Sequence, residues 1–187
     1  MRSWRILLGM AAGLALGCAG QSQKTVEVLD PRTGVTVGVL DDPIEFVQLS
    51  GVAFGKRSNF AYLGPVEWNR MGSYSYGLWV HIAPGNDVQP ADIRAPAALS
   101  LLLDDGPMVL TPIDPPALVG DAYRPVVSWG QTAYFALTVP GLKRLAASRR
   151  LDLQCRAVGG GDIAMLPSHD TRAALDRYVR ARGLIGD

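Results

Sequence analysis

The sequence predicts a mainly β protein of the α+β class: one antiparallel β-sandwich-like domain with two short C-terminal helices. Segments that alternate apolar and polar residues recur from residue 25 onward, and short runs containing Gly separate many of them. Such pairs of segments are typical of antiparallel hairpins. Helical periodicity occurs only in the last third of the chain. The segment 25–187 is therefore predicted to form a single globular domain, which is long enough to bury one core.

Three hairpins are predicted in the first part of this domain. In each, two apolar-rich strands flank a turn that contains Gly together with Asp, Pro or Ser. Their strands are 25–29 with 35–40, 60–69 with 74–83, and 98–103 with 108–113. A weaker strand over 44–49 lies between the first two hairpins, and a proline-rich loop over 84–96 follows the second.

The last part of the domain combines strands with two helices. A strand over 132–139 is followed by Pro140, which favours the first turn of a helix because its fixed φ suits that position. Two further strands are predicted over 151–157 and 163–166. The glycine run at 159–161 separates these strands, which indicates a turn and not a phosphate-binding loop at a helix start.

The final predicted helix begins after Ser168 or Asp170, because either side chain can cap it, and ends before Gly183. Asp176 and Arg180 are expected to form an i,i+4 pair on its solvent side. Its apolar stripe consists of Leu175, Tyr178 and Val179.

Residues 1–17 have the three parts of a secretory signal peptide. A basic start with Arg2 and Arg5 precedes an apolar run over 6–16, which ends at the small residue Gly17. The run is too short for a permanent membrane span, which needs about 20 residues. A core helix of a cytosolic protein is the alternative, but two glycines and apolar residues on every side favour a translocated segment.

The segment Leu14-Ala15-Leu16-Gly17-Cys18 resembles the lipobox of bacterial lipoproteins, although Ala15 replaces the commoner leucine. The resemblance implies that Cys18 receives a diacylglyceryl group and becomes the acylated first residue after cleavage. Each buried methylene contributes about 0.8 kcal/mol, so two or three acyl chains make detachment negligible. Residues 18–24 would then comprise the lipidated cysteine and a short tether. An ordinary signal peptide with an incidental cysteine is the alternative.

The expected location is the periplasmic face of an outer membrane, where the acyl chains on Cys18 bind the lipid bilayer. Ala19 lacks the acidic side chain that, in Gram-negative lipoproteins, tends to retain the protein at the inner membrane. Loss of Arg2 and Arg5 with the signal would change the formal net charge from +1 to −1. Such a balance predicts no nucleic-acid partner, and leaves another envelope protein as the further candidate.

The rest of the chain is similar to small, uncharacterised envelope lipoproteins of Gram-negative bacteria. The similarity rests on the segment 63–72, on the aromatic strand that follows it, and on the closing strand–strand–helix arrangement. It implies a β-rich fold and brings no activity with it.

Residue patterns for catalysis, metal binding or cofactor binding are not found, so none of these is predicted. The histidines His81 and His169 stand outside the paired spacings of metal sites, and no Gly-x-Ser-x-Gly motif occurs. Asp41-Asp42 and Asp104-Asp105 precede Pro or Gly, which indicates turns. Cys155 lies at an apolar position of an alternating strand and is expected to face the core.

Aromatic residues are dense around the central hairpin, and three of them are candidates for binding a partner: Trp68, Trp79 and Trp129. Trp79 lies opposite the apolar face of its strand, and Trp129 belongs to the long irregular stretch 114–131. If these rings are exposed together they would form a binding surface. The alternative is that both faces of the sheet are covered and the rings belong to the core.

The sequence is best interpreted as a non-enzymatic envelope lipoprotein that binds or supports another envelope component. A carrier of a small ligand or lipid is the second interpretation, and it would require an enclosed apolar cavity. A hydrolase is the third, and it would require polar groups converging on His81 or His169.

Overall fold

The computed structural model describes residues 24–48, 59–83, 98–116, 122–125, 127–156 and 162–185. The described residues form eleven strands and two helices. The strands are β1 (Thr25–Leu29), β2 (Val35–Leu40), β3 (Ile44–Gln48), β4 (Phe60–Arg70), β5 (Ser73–Ala83), β6 (Leu99–Leu103), β7 (Gly106–Leu110), β8 (Pro112–Ile113), β9 (Gln131–Leu137), β10 (Leu151–Arg156) and β11 (Asp162–Pro167). The helices are α1 (Val139–Ala147) and α2 (Thr171–Ala181).

All eleven strands belong to one antiparallel sheet that nearly closes on itself. The strand order is β7-β6-β10-β11-β3-β4-β5-β9-β8, and β7 and β8 are consecutive in the chain. Between these two strands, the C=O of Thr111 accepts the N–H of Ala136 in β9 at 3.0 Å. The predicted antiparallel, mainly β fold with two helices is confirmed. The two layers of the predicted sandwich are opposite sides of one sheet.

The long strand β4 joins the two parts of the sheet, because two different strands pair with the same edge of it. β3 pairs with its first half, over Phe60–Leu63, and β2 pairs with its second half, over Val66–Arg70. The hairpin β1–β2 therefore extends beyond the nearly closed part of the sheet, next to the tip of the hairpin β4–β5.

The larger part of the core lies on the inner face of the sheet. Alternate residues of the strands point inward and are buried, for example Phe46, Leu63, Leu78, Leu101, Phe135 and Leu153. On β7 the opposite face is open to solvent, where Val109 is exposed. On β2, β4 and β5 both faces carry buried side chains, so this part of the sheet has a second covered layer.

α1 forms around Pro140 and α2 follows Asp170, as predicted, and the two helices pack against each other and the core. Thr138 Oγ1 accepts the N–H of Gly141 at 3.2 Å at the start of α1. Asp170 caps α2 by accepting the N–H of Arg172 at 3.0 Å, and Gly183 ends it with φ +63°. Leu142, Leu145, Leu175, Tyr178 and Val179 are the buried large side chains of the two helices.

Several predictions fall outside the described residues. They concern the signal peptide over 1–17, Cys18, the loop over 84–96 and the glycine turn at 159–161. Cys155 belongs to β10, but the structure does not describe its side chain, so the expected core position stays a prediction.

Candidate functional site

Two of the three candidate aromatic residues are buried. Trp68 and Trp79 lie on the outer face of β4 and β5 and are 2 % and 0 % exposed. The Tyr123 ring lies 5.1 Å from the Trp79 ring, and the Tyr134 ring of β9 lies 5.9 Å from the Trp68 ring. Trp68 and Trp79 therefore belong to the core and offer no surface to a partner, which corrects the prediction for these two residues.

Tyr123 fills the position on β4 between the segments that pair with β2 and with β3. Its hydroxyl accepts the N–H of Leu40 at 3.0 Å and donates to the C=O of Pro65 at 2.9 Å. Gly64 leaves space for the ring, because a Cβ there would lie 2.2 Å from Tyr123 Cζ. Burial raises the pKa of Tyr123, so the hydroxyl keeps the proton that it donates.

The two histidines have different environments. His81 is buried, its Nδ1 lies 3.0 Å from Thr132 Oγ1, and its ring stacks on Trp79 with 5.7 Å between centroids. Gly130 packs against its edge, since a Cβ there would lie 2.2 Å from His81 Nε2. His169 is exposed in the turn before α2. Because a general base must reach its substrate, the burial of His81 does not favour a catalytic role.

Trp129, the third candidate aromatic residue, is 50 % exposed. It precedes Gly130, and the close approach of Gly130 to His81 holds this turn against β5. Trp129 is thus the candidate tryptophan whose side chain a partner can reach.

A row of mainly polar residues crosses four strands on the inner face. Its two central residues are buried beside α2, whereas the Glu27 side chain at its edge is 64 % exposed. The register places Glu27, Gly38, Glu67 and Tyr76 next to one another on β1, β2, β4 and β5. Arg182, directly after α2, reaches this row with a side chain that is only 5 % exposed. Its Nη1 donates to a Glu27 carboxylate oxygen and, at 3.4 Å, to Glu67 Oε1. These residues are called the buried row below.

Gly38 and Tyr178 shape the space that Arg182 occupies. A Cβ at Gly38 would lie 2.4 Å from Arg182 Nη2, so a side chain there would displace the guanidinium. The guanidinium carbon lies 5.5 Å from the centroid of the Tyr178 ring, and the Tyr178 hydroxyl donates to the C=O of Gly38 at 3.0 Å. The end of α2 is thereby fixed against β2 and β4.

Tyr76 and Tyr178 remain protonated beside these charges. Burial and the nearby Glu67 carboxylate raise the pKa of Tyr76 to about 12. Burial also raises the pKa of Tyr178. Each phenol is therefore a hydrogen-bond donor over the physiological pH range.

The next row of the same four strands has exposed, largely apolar residues at its two ends and half-buried polar residues between them. It lies two residues further along each strand and consists of Leu29, Thr36, Asn69 and Tyr74. Leu29 is 61 % exposed and Tyr74 is 56 % exposed. The row ends at the tips of the hairpins β1–β2 and β4–β5.

Met71 occupies the tip of the β4–β5 hairpin in a conformation that favours Gly or Asn. Met71 has φ +52° and Gly72 has φ +87°. A two-residue turn with both φ values positive is type I′, for which Asn-Gly is the preferred pair. Asn69 Oδ1 accepts the N–H of Gly72 at 2.9 Å. The Met71 side chain is 98 % exposed, so packing does not compensate for this conformation.

Two arginines accompany these apolar side chains. Arg32 in the β1–β2 turn and Arg70 at the end of β4 are exposed, and pairing of Val35 with Arg70 brings the two turns together. Asp30, the acid of this region, is buried, and its Oδ1 accepts the N–H of Arg32 at 2.9 Å. The exposed residues of the two tips are called the tip surface: Leu29, Arg32, Arg70, Met71 and Tyr74.

The paired aspartates serve the turns in which they were predicted. Asp105 accepts from the Arg144 guanidinium at 2.7 Å, and this hydrogen bond lowers the pKa of the Asp105 carboxyl. Asp104 Oδ2 accepts the N–H of Arg149 at 2.6 Å. These contacts join the β6–β7 turn to the residues at and after the end of α1. Asp41-Asp42 forms the bend between β2 and β3.

Local sequence patterns do not predict the buried row or the tip surface as sites. Glu67 within an apolar strand and Gly38 within an alternating strand were signals for the first. Met71 before Gly72 in a two-residue hairpin turn was the signal for the second, because Met is unusual there.

Within the described part of the chain, no group of three or more His, Cys, Asp and Glu side chains is arranged to hold a metal ion. Neither described helix has the length and hydropathy needed to cross a membrane. Comparison of the chain with protein-family models, curated proteins and solved structures finds no match.

Proposed function

We propose that this chain is a membrane-anchored lipoprotein of the bacterial envelope and acts there as a non-enzymatic binding or structural module. The observation that carries the proposal is the short stretch of chain between Cys18, in its lipobox-like context, and the first strand, which begins at Thr25. Seven residues span about 25 Å at most. Acyl chains on Cys18 would therefore hold the domain close to the bilayer surface.

The distribution of buried and exposed groups supports binding in preference to catalysis. His81 is buried, and Asp104 and Asp105 are engaged in structural contacts. The inner face of the sheet is occupied by large buried side chains, so it lends a carrier role no support. In contrast, the tip surface exposes apolar and basic side chains to solvent.

The anchor is tested by the mass and the membrane association of the purified chain. We expect an intact mass equal to residues 18–187 plus acyl groups, and retention in the membrane fraction. Cys18→Ser should abolish acylation and release the mature domain or leave an uncleaved precursor. Cys155→Ser is the matched control and should leave acylation unchanged. An unmodified chain that begins at another residue would show that the protein is secreted without an anchor.

A protein partner is tested separately by photo-crosslinking from native membranes. A crosslinker at Trp129 samples the exposed aromatic residue, and one at Val109 samples an exposed apolar residue on β7. One dominant crosslinked protein from Trp129 and none from Val109 would identify a specific partner. Equal, diffuse crosslinking from both positions would argue against a protein partner at Trp129.

A further inference from the structure

The tip surface combines three exposed large apolar side chains at one end of the sheet. Leu29 and Tyr74 lie at the two ends of the same cross-strand row, with Thr36 and Asn69 between them, and Met71 lies at the adjoining turn. Water is an unfavourable environment for large apolar side chains, so three of them exposed at one end of the sheet indicate a contact surface.

Met71 adds a second, independent indication. Its left-handed backbone favours Asn or Gly, and its side chain makes no compensating core contact because it is almost fully exposed. Both the backbone and the side chain at this position are thus unfavourable for the isolated domain. A strained residue of this kind is accounted for by a role outside the fold, and a long flexible apolar side chain suits insertion into a soft apolar phase.

The charge of the tip surface favours an anionic bilayer as this apolar phase. Arg32 and Arg70 are exposed, while Asp30 is buried and bound to the backbone of its own turn. Apolar side chains flanked by arginines match the surface of an anionic bilayer, where the apolar groups enter the acyl region and the cations contact phosphate groups.

The length of the chain before β1 allows this contact. The strand from Thr25 to Leu29 rises about 13 Å, and the turn residues that follow add about 7 Å, so the tip lies about 20 Å from the start of β1. The tether from Cys18 to Thr25 reaches about 25 Å at most. The anchor and the tip surface can therefore touch the same leaflet.

We propose that the tip surface is a second membrane contact, which inserts Met71 and Leu29 into an anionic leaflet and fixes the orientation of the anchored domain. The proposal rests on the lipid anchor proposed above. The bilayer would cover the hairpin tips, and the β7 side of the sheet, where Val109 is exposed, would face away from it.

The test uses the lipidated full chain in vesicles of phosphatidylethanolamine and phosphatidylglycerol. A Cys155→Ala background leaves one reactive thiol, placed by Ser73→Cys at the tip or by Val109→Cys on β7, and labelled with an environment-sensitive fluorophore. Phospholipids with a nitroxide in the acyl chain should quench the label at position 73 by about twofold or more, and the label at position 109 little, because only the tip inserts.

Variants of the tip surface sharpen this test. Met71→Asp together with Leu29→Asp should remove the quenching at position 73 while the protein still floats with the vesicles. Arg32→Gln with Arg70→Gln should lower the equilibrium constant for tip contact by roughly tenfold, as should replacing the anionic lipid by phosphatidylcholine.

The possible outcomes separate the two proposals. If the protein floats with the vesicles and position 73 is not quenched, the anchor stands and the membrane contact of the tip is overturned. If the protein does not float with either vesicle, the anchor fails and this proposal falls with it. A crosslinker at Met71 could instead capture one envelope protein in native membranes while the label at position 73 is not quenched in vesicles. That result would show that the tip surface binds a protein and would overturn the proposed contact with the bilayer.

Discussion

Two neighbouring rows on the same face of the same four strands reverse the usual distribution of residues. The buried row carries Glu27, Gly38, Glu67 and Tyr76, and Arg182 covers it. The next row, two residues toward the hairpin tips, exposes Leu29 and Tyr74. The charges of Glu67 and Arg182 are thus buried where apolar residues are usual, and Leu29 and Tyr74 are exposed where polar residues are usual.

The difference between the rows follows from what α2 covers. Its C-terminal end reaches as far as the buried row, where Arg182 contacts Glu67 and Tyr178 contacts Gly38. Hydrogen bonds and ion pairs depend on direction as well as on distance. They therefore fix the position of α2 more specifically than apolar packing would. Beyond α2, within the described residues, the strands continue as two hairpins whose tips extend into solvent.

The largest expected effect on the free energy of unfolding comes from removing Arg182, the cation of the buried row. Arg182→Ala should lower the free energy of unfolding by about 3–5 kcal/mol, because it leaves the buried Glu67 carboxylate without its partner. Chemical denaturation monitored by tryptophan fluorescence measures this loss, since Trp68 neighbours Glu67 in β4.

Two variants control for the origin of that loss. Arg180→Ala removes an exposed ion pair with Asp176 from the same helix and should cost much less, because solvent screens that pair. Glu67→Gln in the Arg182→Ala background should recover part of the stability by removing the uncompensated charge. An equal loss for Arg180→Ala and Arg182→Ala would contradict the role assigned to the buried row.

A smaller effect is expected one row further into the sheet, where the ladder between β2 and β4 ends. The Tyr123 hydroxyl replaces strand pairing there by bonding the backbones of Leu40 and Pro65. Tyr123→Phe should lower the free energy of unfolding by about 1–3 kcal/mol, because both backbone groups are buried and lose their partner. Tyr74→Phe, at the exposed row, is the control and should have little effect. Equal denaturation midpoints for Tyr123→Phe and the parent chain would refute this account.

The comparison also shows what the sequence predicts and what it leaves open. The strands and helices follow from local patterns: the alternation in 25–40 predicts the first hairpin, and the capping residue Asp170 predicts α2. The contact of Arg182 with Glu67 joins residues 115 positions apart. Such a contact depends on the register of several strands and on the placement of a helix, neither of which a local pattern contains.

The burial of the tryptophans illustrates the same limit. The alternation of β5 correctly places Trp79 opposite its apolar face, but alternation does not reveal that Tyr123 and Tyr134 help to cover that second face. Leu29 shows the opposite error: its place in the strand pattern predicts burial, but the structure exposes it. It is exposed because its strand extends past the helix that would otherwise cover it.

Alkaline pH should weaken the buried row through Tyr76. The pKa of Tyr76 in the folded state is about 12, above the ordinary value of 10.0, so folding favours its protonated form. The resulting stability is present below pH 10 and is lost as the pH rises through about 12. Denaturation measured between pH 9 and 12 should show this decline, and Tyr76→Phe should make it shallower. A profile unchanged by Tyr76→Phe would mean that Glu67 and burial do not act on this phenol as the structure indicates.

The smallest effect concerns Met71, and it has the opposite sign. Met71→Asn should raise the free energy of unfolding by about 1 kcal/mol, because Asn accepts the left-handed backbone that Met adopts there. The same variant should weaken the contact of the tip with anionic vesicles, since it removes the most exposed apolar side chain. Thermal denaturation and the quenching of a label at position 73 measure the two effects on one protein. If Met71→Asn gains stability and loses quenching, membrane contact explains why the turn carries a strained apolar residue. A gain in stability with no change in quenching would leave only the strain at Met71 and remove the function assigned to it.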